Sequence, residues 1–183
     1  MLGVIQDEPL PVQQARAGSA EAWEVLVRRY QLPLYVYVFE LVRHEQASLD
    51  VVQETFINAV RHIGSLRDDG RFGGWIFGIA HQKCVQRWRK EGRENLLLEA
   101  FTSAPPVFEE GPDDVLIRRE QEAGFLNFIH RLTPPQRSVL LLHYMEGFRL
   151  DEIAAITGTE LGTVKSRLHY AKKSLRKLLE ENK

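Results

Sequence analysis

The chain has 183 residues, enough for one domain or two small ones, and its hydrophobic content of 44% permits packed cores and argues against wholesale disorder. The formal net charge of −1 by itself argues against nucleic acid as a partner, but the charges are unevenly distributed. No apolar run is long enough to span a bilayer, and the N-terminus lacks the basic and apolar regions of a signal peptide. The single cysteine, Cys84, excludes an internal disulfide and fits a reducing cytoplasm.

The first part of the chain shows one long helical pattern. Pro9 and Pro11 predict an irregular start, and Ser19, which follows a glycine, is a plausible N-cap. Apolar residues then recur at helical spacing as far as Val42, and Pro33 is expected to interrupt or restart the helix. The aromatic residues of this stretch are more typical of core packing than of a ligand pocket.

Two further helices are expected before residue 93. Ser48 or Asp50 is expected to cap one that Gly64 closes, and the polar loop 65–71 leads into another from about Phe72 to Lys90. Cations near a helix C-terminus are favoured by the helix dipole, so part of the charge at the end of this helix has a structural explanation. The cations are Lys83, Arg87, Arg89 and Lys90.

Prolines, glycines and clustered acids mark residues 94–114 as a linker. Residues 94–122 contain eight acidic residues and two arginines, a net charge of −6, whereas residues 83–93 and 160–183 each have a net charge of +4. A basic block is usually only a solvated surface. Two such blocks separated by an acidic segment suggest two contacts with one polyanion.

The most informative stretch is residues 150–176. It predicts two helices joined at Gly158, which suits the left-handed geometry of a helix end, with Thr159 as the N-cap of the second helix. In the first helix Ile153 and Ile156 are expected to point inward. The second helix has one apolar stripe, formed by Leu161, Val164, Leu168, Ala171 and Leu175.

The opposite face of the second helix is polar and basic, the pattern of a helix-turn-helix. Lysine and arginine there can hold phosphates, and serine, histidine and tyrosine can reach base edges. An ordinary helical hairpin with a solvated charged face would show the same spacing. The preceding helix is expected to start with a capping box formed by Thr133, Pro134 and Gln136.

Four motifs occur in order along the chain: DVVQETF at 50–56, FGGWIFGIA at 72–80, TPPQRSVL at 133–140 and LGTVKSRL at 161–168. Together they resemble the extracytoplasmic-function sigma factors, the small two-domain branch of the bacterial sigma-70 family. The resemblance covers about residues 17–93 and 116–179. It implies an all-α fold with two small helical domains, at 1–92 and 116–183, joined by an irregular acidic linker at 93–115, the C-terminal domain being a helix-turn-helix.

The resemblance also implies a function and partners. A chain of this family binds core RNA polymerase and directs promoter-specific transcription initiation, commonly in a stress or envelope response and under an anti-sigma factor. The N-terminal domain is expected to bind the β′ clamp helices and the −10 element, and the C-terminal domain the β flap and the −35 element. No cofactor, metal or membrane insertion is expected.

Site residues follow from the matched motifs. The expected polymerase contacts are Asp50, Val51, Gln53, Glu54 and Phe56. The expected −10 contacts come from the loop and the basic helix: Arg67, Asp69, Arg71, Gln82, Lys83, Arg87, Arg89 and Lys90. The expected −35 contacts are Thr163, Lys165, Ser166, Arg167, His169, Tyr170, Lys172 and Lys173.

Among the −35 residues, Lys165, Ser166 and His169 are expected to read bases, and Arg167, Lys172 and Lys173 to hold phosphates. Trp75 is expected in the core.

The chain departs from the family pattern at four positions. Many members have arginine where this chain has Gly78 and His81, and asparagine where it has Gln82. Many also have arginine at the position of Tyr170. Tyrosine cannot make the two hydrogen bonds by which arginine reads guanine, so the −35 preference is expected to differ.

Other functional classes have weaker support. His81 and Cys84 lie three residues apart and form half a zinc site, but two ligands do not hold a structural zinc. Cys84 is also a weak candidate for a redox sensor. No phosphate-cradling glycine loop and no nucleophile paired with a base is present, so an enzyme is not expected. The remaining alternatives are a stand-alone helix-turn-helix regulator, which binds duplex DNA without polymerase, and an interaction protein that sequesters a partner.

Overall fold

The computed structural model describes residues 10–90 and 129–181, apart from the side chains of residues 89, 90 and 178–181. Within these ranges the chain is helical with no strand, which confirms the all-α prediction. The predicted linker lies outside the described residues. The helices are α1 Val12–Arg16, α2 Ala20–Val42, α3 Glu45–His62, α4 Phe72–Lys90, α5 Pro134–Tyr144, α6 Leu150–Thr157 and α7 Leu161–Glu181, with one-turn 3₁₀ helices at Ile63–Ser65 and Asp69–Arg71.

The long second helix begins as its sequence predicts but continues through its proline. The Ser19 side chain accepts a hydrogen bond from the backbone N–H of Ala22 at 3.2 Å, as an N-cap does. Pro33 lies inside α2 and does not end it, because buried residues on both sides of the proline hold the helix against the core. The preceding helix α1, which buries Val12 and Ala15, was not predicted.

The third helix starts earlier than its sequence suggests, so the prediction of Ser48 or Asp50 as its cap is wrong. Helix α3 begins at Glu45, and the His44 side chain accepts from the backbone N–H of Ala47 at 3.2 Å. Histidine is not a favoured N-cap residue, which is why this signal was missed. The buried Ser48 hydroxyl instead donates to the His44 carbonyl at 2.8 Å.

The C-terminal helices follow the predicted pattern closely. Helix α5 starts at Pro134, and the Thr133 N–H donates to Gln136 Oε1 at 3.3 Å, the reciprocal half of a capping box. Gly158 has a φ of 64° and ends α6 in the left-handed conformation. The prediction of Thr159 as the N-cap of α7 is wrong, because α7 begins at Leu161. The Thr159 hydroxyl instead forms a hydrogen bond with the Thr157 hydroxyl at 2.9 Å.

The predicted apolar stripe of α7 is buried in its middle and exposed at its start. Val164, Leu168 and Ala171 are buried, as are Ile153 and Ile156 of α6, but Leu161 is 39% exposed.

The N-terminal and C-terminal helices pack directly on each other. Helix α4 lies against α6, and α2 lies against α5. The rings of Phe77 on α4 and Phe148, in the α5–α6 loop, meet edge to face with centroids 5.3 Å apart. The two helices touch here, because a Cβ on Gly78 would lie 4.0 Å from the backbone of Ile156, an ordinary van der Waals distance. The buried apolar residues of both halves therefore form one continuous core.

A buried arginine on α5 joins this core to the end of α2. Arg137 donates to the carbonyl oxygen of Glu40 at 2.6 Å, to those of Ile129 and Leu132 at 3.1 Å each, and to that of His130 at 2.8 Å. Glu40 lies in the last turn of α2, where carbonyls lack partners within their own helix. Burial lowers the pKa of Arg137 to about 10, so it remains charged at neutral pH.

The Glu40 carboxylate completes this contact between α2 and α5, which we call the joint. It lies 3.1 Å from His130 Nε2 and 3.4 Å from Arg43 Nη1. Burial raises the pKa of Glu40, but the hydrogen bond and charge of His130, together with Arg43 and Arg137, outweigh it, so the pKa is lowered. This carboxylate therefore supplies negative charge beside the buried guanidinium.

We expect Arg137→Met to lower the free energy of unfolding by about 3 kcal/mol, because four carbonyl acceptors and the Glu40 charge lose their buried partner. For a chain of this size that corresponds to a fall in Tm of roughly 6–12 °C, measurable by circular dichroism. The matched control is Arg131→Met, which changes an exposed arginine six residues earlier. Equal melting temperatures for the two variants would contradict the assignment.

Candidate nucleic-acid interface

The second helix of the helix-turn-helix presents a continuous polar and basic surface. We call its exposed residues the recognition face: Lys165, Ser166, His169, Tyr170, Lys172 and Lys173. Thr163, also predicted, is half-buried beside it. The structure thus brings six of the eight predicted −35 residues to one open face of α7, opposite the buried apolar stripe.

Local contacts shape this face. The Tyr170 ring meets the His169 ring edge to face at 5.6 Å, and Lys172 Nζ lies 5.3 Å from the centre of the Tyr144 ring. Ser166 donates its hydroxyl proton to the Gly162 carbonyl at 3.0 Å. In this rotamer Ser166 can accept a hydrogen bond from a ligand but cannot donate one.

Arg167, a predicted phosphate contact, lies elsewhere. Its side chain is half-buried rather than exposed, and burial lowers the pKa of its guanidinium. Its charge is close enough to His81 of α4 to lower the pKa of that histidine. Arg167 therefore faces the N-terminal half of the chain and stands apart from the recognition face.

The predicted polymerase contacts divide into exposed and buried residues. Asp50, Gln53 and Glu54 are exposed on α3 and Phe56 is half-buried. Val51 is only 6% exposed, so it packs in the core and helps to hold α3 in place. Three apolar residues that were not predicted as contacts are exposed on the same helix: Leu49 at 46%, Ile57 at 42% and Val60 at 52%. Ile57 and Val60 follow the apolar period of the helix, but the period alone does not show which apolar positions lack a packing partner.

The loop before α4 is held in place by an arginine that the sequence reasoning did not single out. Arg16 donates to the Leu66 carbonyl at 3.0 Å and pairs with Asp69 at 2.6 Å. Arg71 is exposed and pairs with Asp68 at 3.3 Å. Of the predicted −10 residues in this loop, Asp69 is thus engaged within the protein, while Arg67 and Arg71 face solvent.

Two of the predicted −10 residues on α4, Gln82 and Lys83, line a groove between α3 and α4. Gln82 is exposed, Arg87 is half-buried, and Lys83 Nζ pairs with Glu54 of α3 at 2.7 Å. The side chains of Arg89 and Lys90 lie outside the described residues. The groove has a volume of about 260 Å³ and is lined by Asn58, His62, Trp75, Ile79, Gln82, Lys83 and Gln86.

Trp75, expected in the core, is only partly buried. One side of its ring system packs on Phe72, with centroids 5.7 Å apart, and the tryptophan also lines the groove. It is therefore an aromatic wall next to Gln82 and Lys83.

A buried polar cluster lies where α2, α4 and α5 meet. The Tyr37 hydroxyl is 2.7 Å from Ser138 Oγ and 2.9 Å from His81 Nδ1. Burial, and secondarily the charge of Arg167, lowers the pKa of His81 to about 4, so the ring is neutral. One arrangement satisfies all three groups: Ser138 donates to Tyr37, and Tyr37 donates to His81.

His81 and Cys84, whose spacing resembles half a zinc site, are both buried in the core. His81 Nδ1 is used by Tyr37, and Cys84 is fully buried with its pKa raised by burial to about 12. Such a thiol is protonated and shielded, which also opposes a redox role. The part of the chain that the structure describes contains no group of three or more His, Cys, Asp or Glu arranged to hold a metal ion. No helix in that part is long and apolar enough to cross a membrane.

Family models match both halves of the chain. The model of sigma-70 region 2 matches residues 26–94, and that of sigma-70 region 4 matches residues 124–175. The chain is 30% identical to the RNA polymerase sigma-H factor of Pseudomonas aeruginosa over 98% of its own length and 97% of that protein. It is 27% identical to the ECF RNA polymerase sigma factor SigW of Bacillus subtilis over 93% of its length and 95% of that protein.

A solved structure has the same fold. The sigma factor RpoE of Bartonella quintana, crystallised with the anti-sigma factor NepR, superposes with a TM-score of 0.66 at 24% identity, covering 87% of this chain and 99% of that one.

The two matched regions and the full-length relatives define a sigma-70-type initiation factor. The chain belongs to the extracytoplasmic-function branch of the RNA polymerase sigma factors. It binds core RNA polymerase and promoter DNA and directs transcription initiation, and members of this family are not enzymes.

Glu146, in the loop between α5 and α6, should make stability depend on pH. Its Oε2 is buried without a hydrogen-bond partner among the described residues, and burial raises its pKa to about 7. The folded state therefore binds this proton more tightly than the unfolded state. The stability from the neutral carboxyl is full at low pH and is lost as the pH rises through 7.

We expect Glu146→Gln to raise Tm at pH 8 by roughly 2–4 °C, about 1 kcal/mol after allowance for partial solvent exposure, because the neutral amide avoids burying a charge. At pH 5 the difference should shrink to about 1 °C or less. Calorimetry at both pH values measures it, with the exposed Glu24→Gln as control. A gain of equal size at both pH values would show that ionisation of Glu146 is not its cause.

Proposed function

We propose that this sigma factor uses three separate surfaces: the recognition face of α7 for the −35 element, the exposed side of α3 for core polymerase, and the 66–71 loop with α4 for the −10 element. The observation that carries the proposal is the exposure of the recognition face opposite a buried apolar stripe. A solvated helix of a hairpin needs no such cluster of base-reading and phosphate-binding side chains.

At the −35 element, the first turns of α7 enter the major groove. Lys165, Ser166 and His169 contact base edges, while Lys172 and Lys173 lie further along the helix and contact phosphates. Tyr170 lies among them and offers a ring face and one hydroxyl. Each lysine contact with phosphate adds affinity that falls with salt and carries no sequence preference.

At the polymerase, α3 offers a mixed surface to the β′ clamp helices. Asp50, Gln53 and Glu54 give polar contacts, and the exposed Leu49, Ile57 and Val60 give the apolar area that a stable interface requires. The second polymerase contact, with the β flap, belongs to the C-terminal domain. Val51 contributes indirectly, because it packs in the core and fixes the position of α3.

At the −10 element, the groove between α3 and α4 suits an unstacked base of single-stranded DNA. Trp75 provides a stacking wall, and Asn58 and Gln82 provide amide groups that can pair with a base edge. Lys83, Arg87, Arg67 and Arg71 provide the positive charge for the strand's phosphates.

The organisation of the chain fits this division. The two domains, at 1–92 and 116–183, are joined by the acidic linker at 93–115, which threads between them on polymerase. The factor acts in the cytoplasm, where polymerase is, without catalysing a reaction, and serves a stress or envelope response. The NepR complex of the solved relative supports an anti-sigma factor as a further partner.

Run-off transcription tests the proposal. Purified chain added to bacterial core RNA polymerase and genomic fragments should give discrete promoter-dependent products. DNA binding without any polymerase-dependent product would instead indicate the stand-alone regulator.

Charge reversal on α3 tests the polymerase surface. We expect Asp50→Lys to weaken binding to core polymerase by about tenfold or more, because an exposed interface carboxylate is replaced by a cation. Glu24→Lys makes the same change on the exposed side of α2, outside the proposed surface, and should leave affinity within about twofold. Equal losses in both variants, measured by titration of labelled protein with core enzyme, would remove α3 from the interface.

Tyr170→Arg tests base reading. Arginine can make two hydrogen bonds to guanine, so a selection of −35 sequences should shift toward guanine at one position, with a preference of about 1–3 kcal/mol. Tyr144→Arg is the control, because it places an arginine at another exposed tyrosine beside the recognition face. An unchanged −35 preference in Tyr170→Arg would place Tyr170 away from the bases.

A further inference from the structure

We propose that Arg16 of helix α1 is a positioning residue for promoter recognition, because it holds the 66–71 loop in the shape that presents the two loop arginines to the −10 element. This role rests on the function proposed above for the loop. It brings α1 into the −10 machinery, although the model of sigma-70 region 2 matches only residues 26–94 and Arg16 lies before them.

Helix α1 is anchored to the N-terminal half independently of the Arg16 side chain. Val12 and Ala15 are buried, and α1 packs on α2. The indole N–H of Trp23, on α2, donates to the Ala15 carbonyl at 3.1 Å. This hydrogen bond holds the last turn of α1, in which Arg16 lies. The guanidinium of Arg16 therefore extends from a fixed backbone.

The guanidinium of Arg16 makes two hydrogen bonds to the loop through one nitrogen. Its Nη2 donates to the Leu66 carbonyl at 3.0 Å and to Asp69 Oδ1 at 2.6 Å. A terminal guanidinium nitrogen has two protons, so the loop uses both of them. The Arg16 side chain is only 34% exposed, against 79% for Arg71, so it faces the loop rather than solvent.

The two acceptors lie on either side of Arg67. Leu66 directly precedes it, and the direction of the Leu66 carbonyl sets the plane of the peptide bond between the two residues. Asp69 begins the one-turn 3₁₀ helix Asp69–Arg71, so its position sets where the second loop arginine starts. Holding both acceptors therefore limits the backbone freedom of the loop and the directions in which its arginines point.

Arg16 also changes the charge of the loop. The loop has two arginines and two aspartates, a net charge of 2 − 2 = 0. Asp68 pairs with Arg71 at 3.3 Å, and Asp69 pairs with Arg16 at 2.6 Å. With Arg16 included the cluster has a net charge of 3 − 2 = +1. Without it, the Asp69 carboxylate would lose its partner and would repel a phosphate that approaches the loop.

Arginine variants in the assembled holoenzyme test this role. The probe is a promoter fragment from the run-off assay, made with mismatched bases over the −10 element so that its strands are already separated. Arg16→Met keeps an apolar side chain and removes both hydrogen bonds. If the released loop keeps its shape about a fifth of the time, affinity for the probe should fall about fivefold. Arg16→Lys should recover most of the affinity, since an ammonium group can donate to both acceptors.

Two comparisons separate positioning from other effects. The matched control is Arg28→Met, which removes an arginine that pairs with Glu24 within α2 at 2.5 Å and should leave the affinity unchanged. The second comparison repeats Arg16→Met in a chain that also carries Arg67→Ala and Arg71→Ala. A residue that acts through the loop should have no further effect once the loop arginines are gone, whereas a direct DNA contact would add its own loss.

Three results would overturn the role of Arg16. Unchanged affinity in Arg16→Met, while Arg67→Ala/Arg71→Ala weakens binding, would remove Arg16 and leave the proposed −10 surface intact. A full additional loss from Arg16→Met in the chain that lacks both loop arginines would make Arg16 a direct DNA contact. No loss in Arg67→Ala/Arg71→Ala would remove the loop itself from the −10 surface, so that the function proposed for the loop would fail as well.

Amide hydrogen exchange on the free chain keeps the role testable if Arg16→Met lowers overall stability. The Leu66 N–H donates to the Ile63 carbonyl at 3.1 Å, and the Arg71 N–H to the Asp68 carbonyl at 3.0 Å. In Arg16→Met these two amides should exchange faster, while buried amides of α4 keep their rates. Equal acceleration in the loop and in α4, or no acceleration in the loop, would show that Arg16 does not position it.

Discussion

The buried guanidinium of Arg137 is the interaction on which the arrangement of the two halves depends. It satisfies four carbonyl oxygens at once, one of them at the open end of α2, and the Glu40 carboxylate lies beside it. A charge buried this deeply is tolerated only when nearly all of its donors are used. A partly separated joint would leave guanidinium donors or carbonyls without partners and without full access to water. The contacts of Arg137 therefore fix one orientation of the two halves rather than a continuous range of orientations.

Packing between the halves also involves the two positions at which α4 was expected to differ from its family's pattern. Gly78 and His81 stand where many members have arginine, and in the sequence this departure weakens the assignment of individual −10 contacts. In the structure both positions face the C-terminal half: Gly78 touches the backbone of Ile156, and His81 is buried near Arg167. A side chain at Gly78 would start in contact with Ile156, and an arginine at His81 would place a second buried cation near Arg167. In this chain, that side of α4 serves packing, and the side of Gln82 and Lys83 borders the groove proposed for the −10 element.

Much of the fold could be predicted from the sequence, because helical periods, caps and the Gly158 turn are local signals. Both bounds of α4, the Ser19 cap and the Thr133–Gln136 capping box were predicted correctly. The start of α3 was missed, because His44 is an unusual cap, and Pro33 was given too much weight, because its cost is offset by tertiary packing. The recognition face could be predicted, because it lies opposite the apolar stripe of α7, which is visible in the sequence as a helical spacing. The position of Arg167, the burial of Val51 and the partial exposure of Trp75 could not be predicted, since each depends on which other helix lies alongside.

The surfaces proposed for polymerase and for the −10 element meet at the ion pair between Glu54 of α3 and Lys83 of α4, whose charged atoms are 2.7 Å apart. Polymerase contact with Glu54 would free Lys83 for a phosphate, so the pair could couple the two binding events. The small free energy of this ion pair limits such coupling, because Glu54 is largely exposed and surface ion pairs contribute about 0–1 kcal/mol to stability. Breaking the joint at Arg137 and Tyr37 exposes several buried polar groups and two aromatic rings, which costs considerably more. The contacts of Arg137 and Tyr37 therefore contribute much more to the stability of the chain than the Glu54–Lys83 pair does.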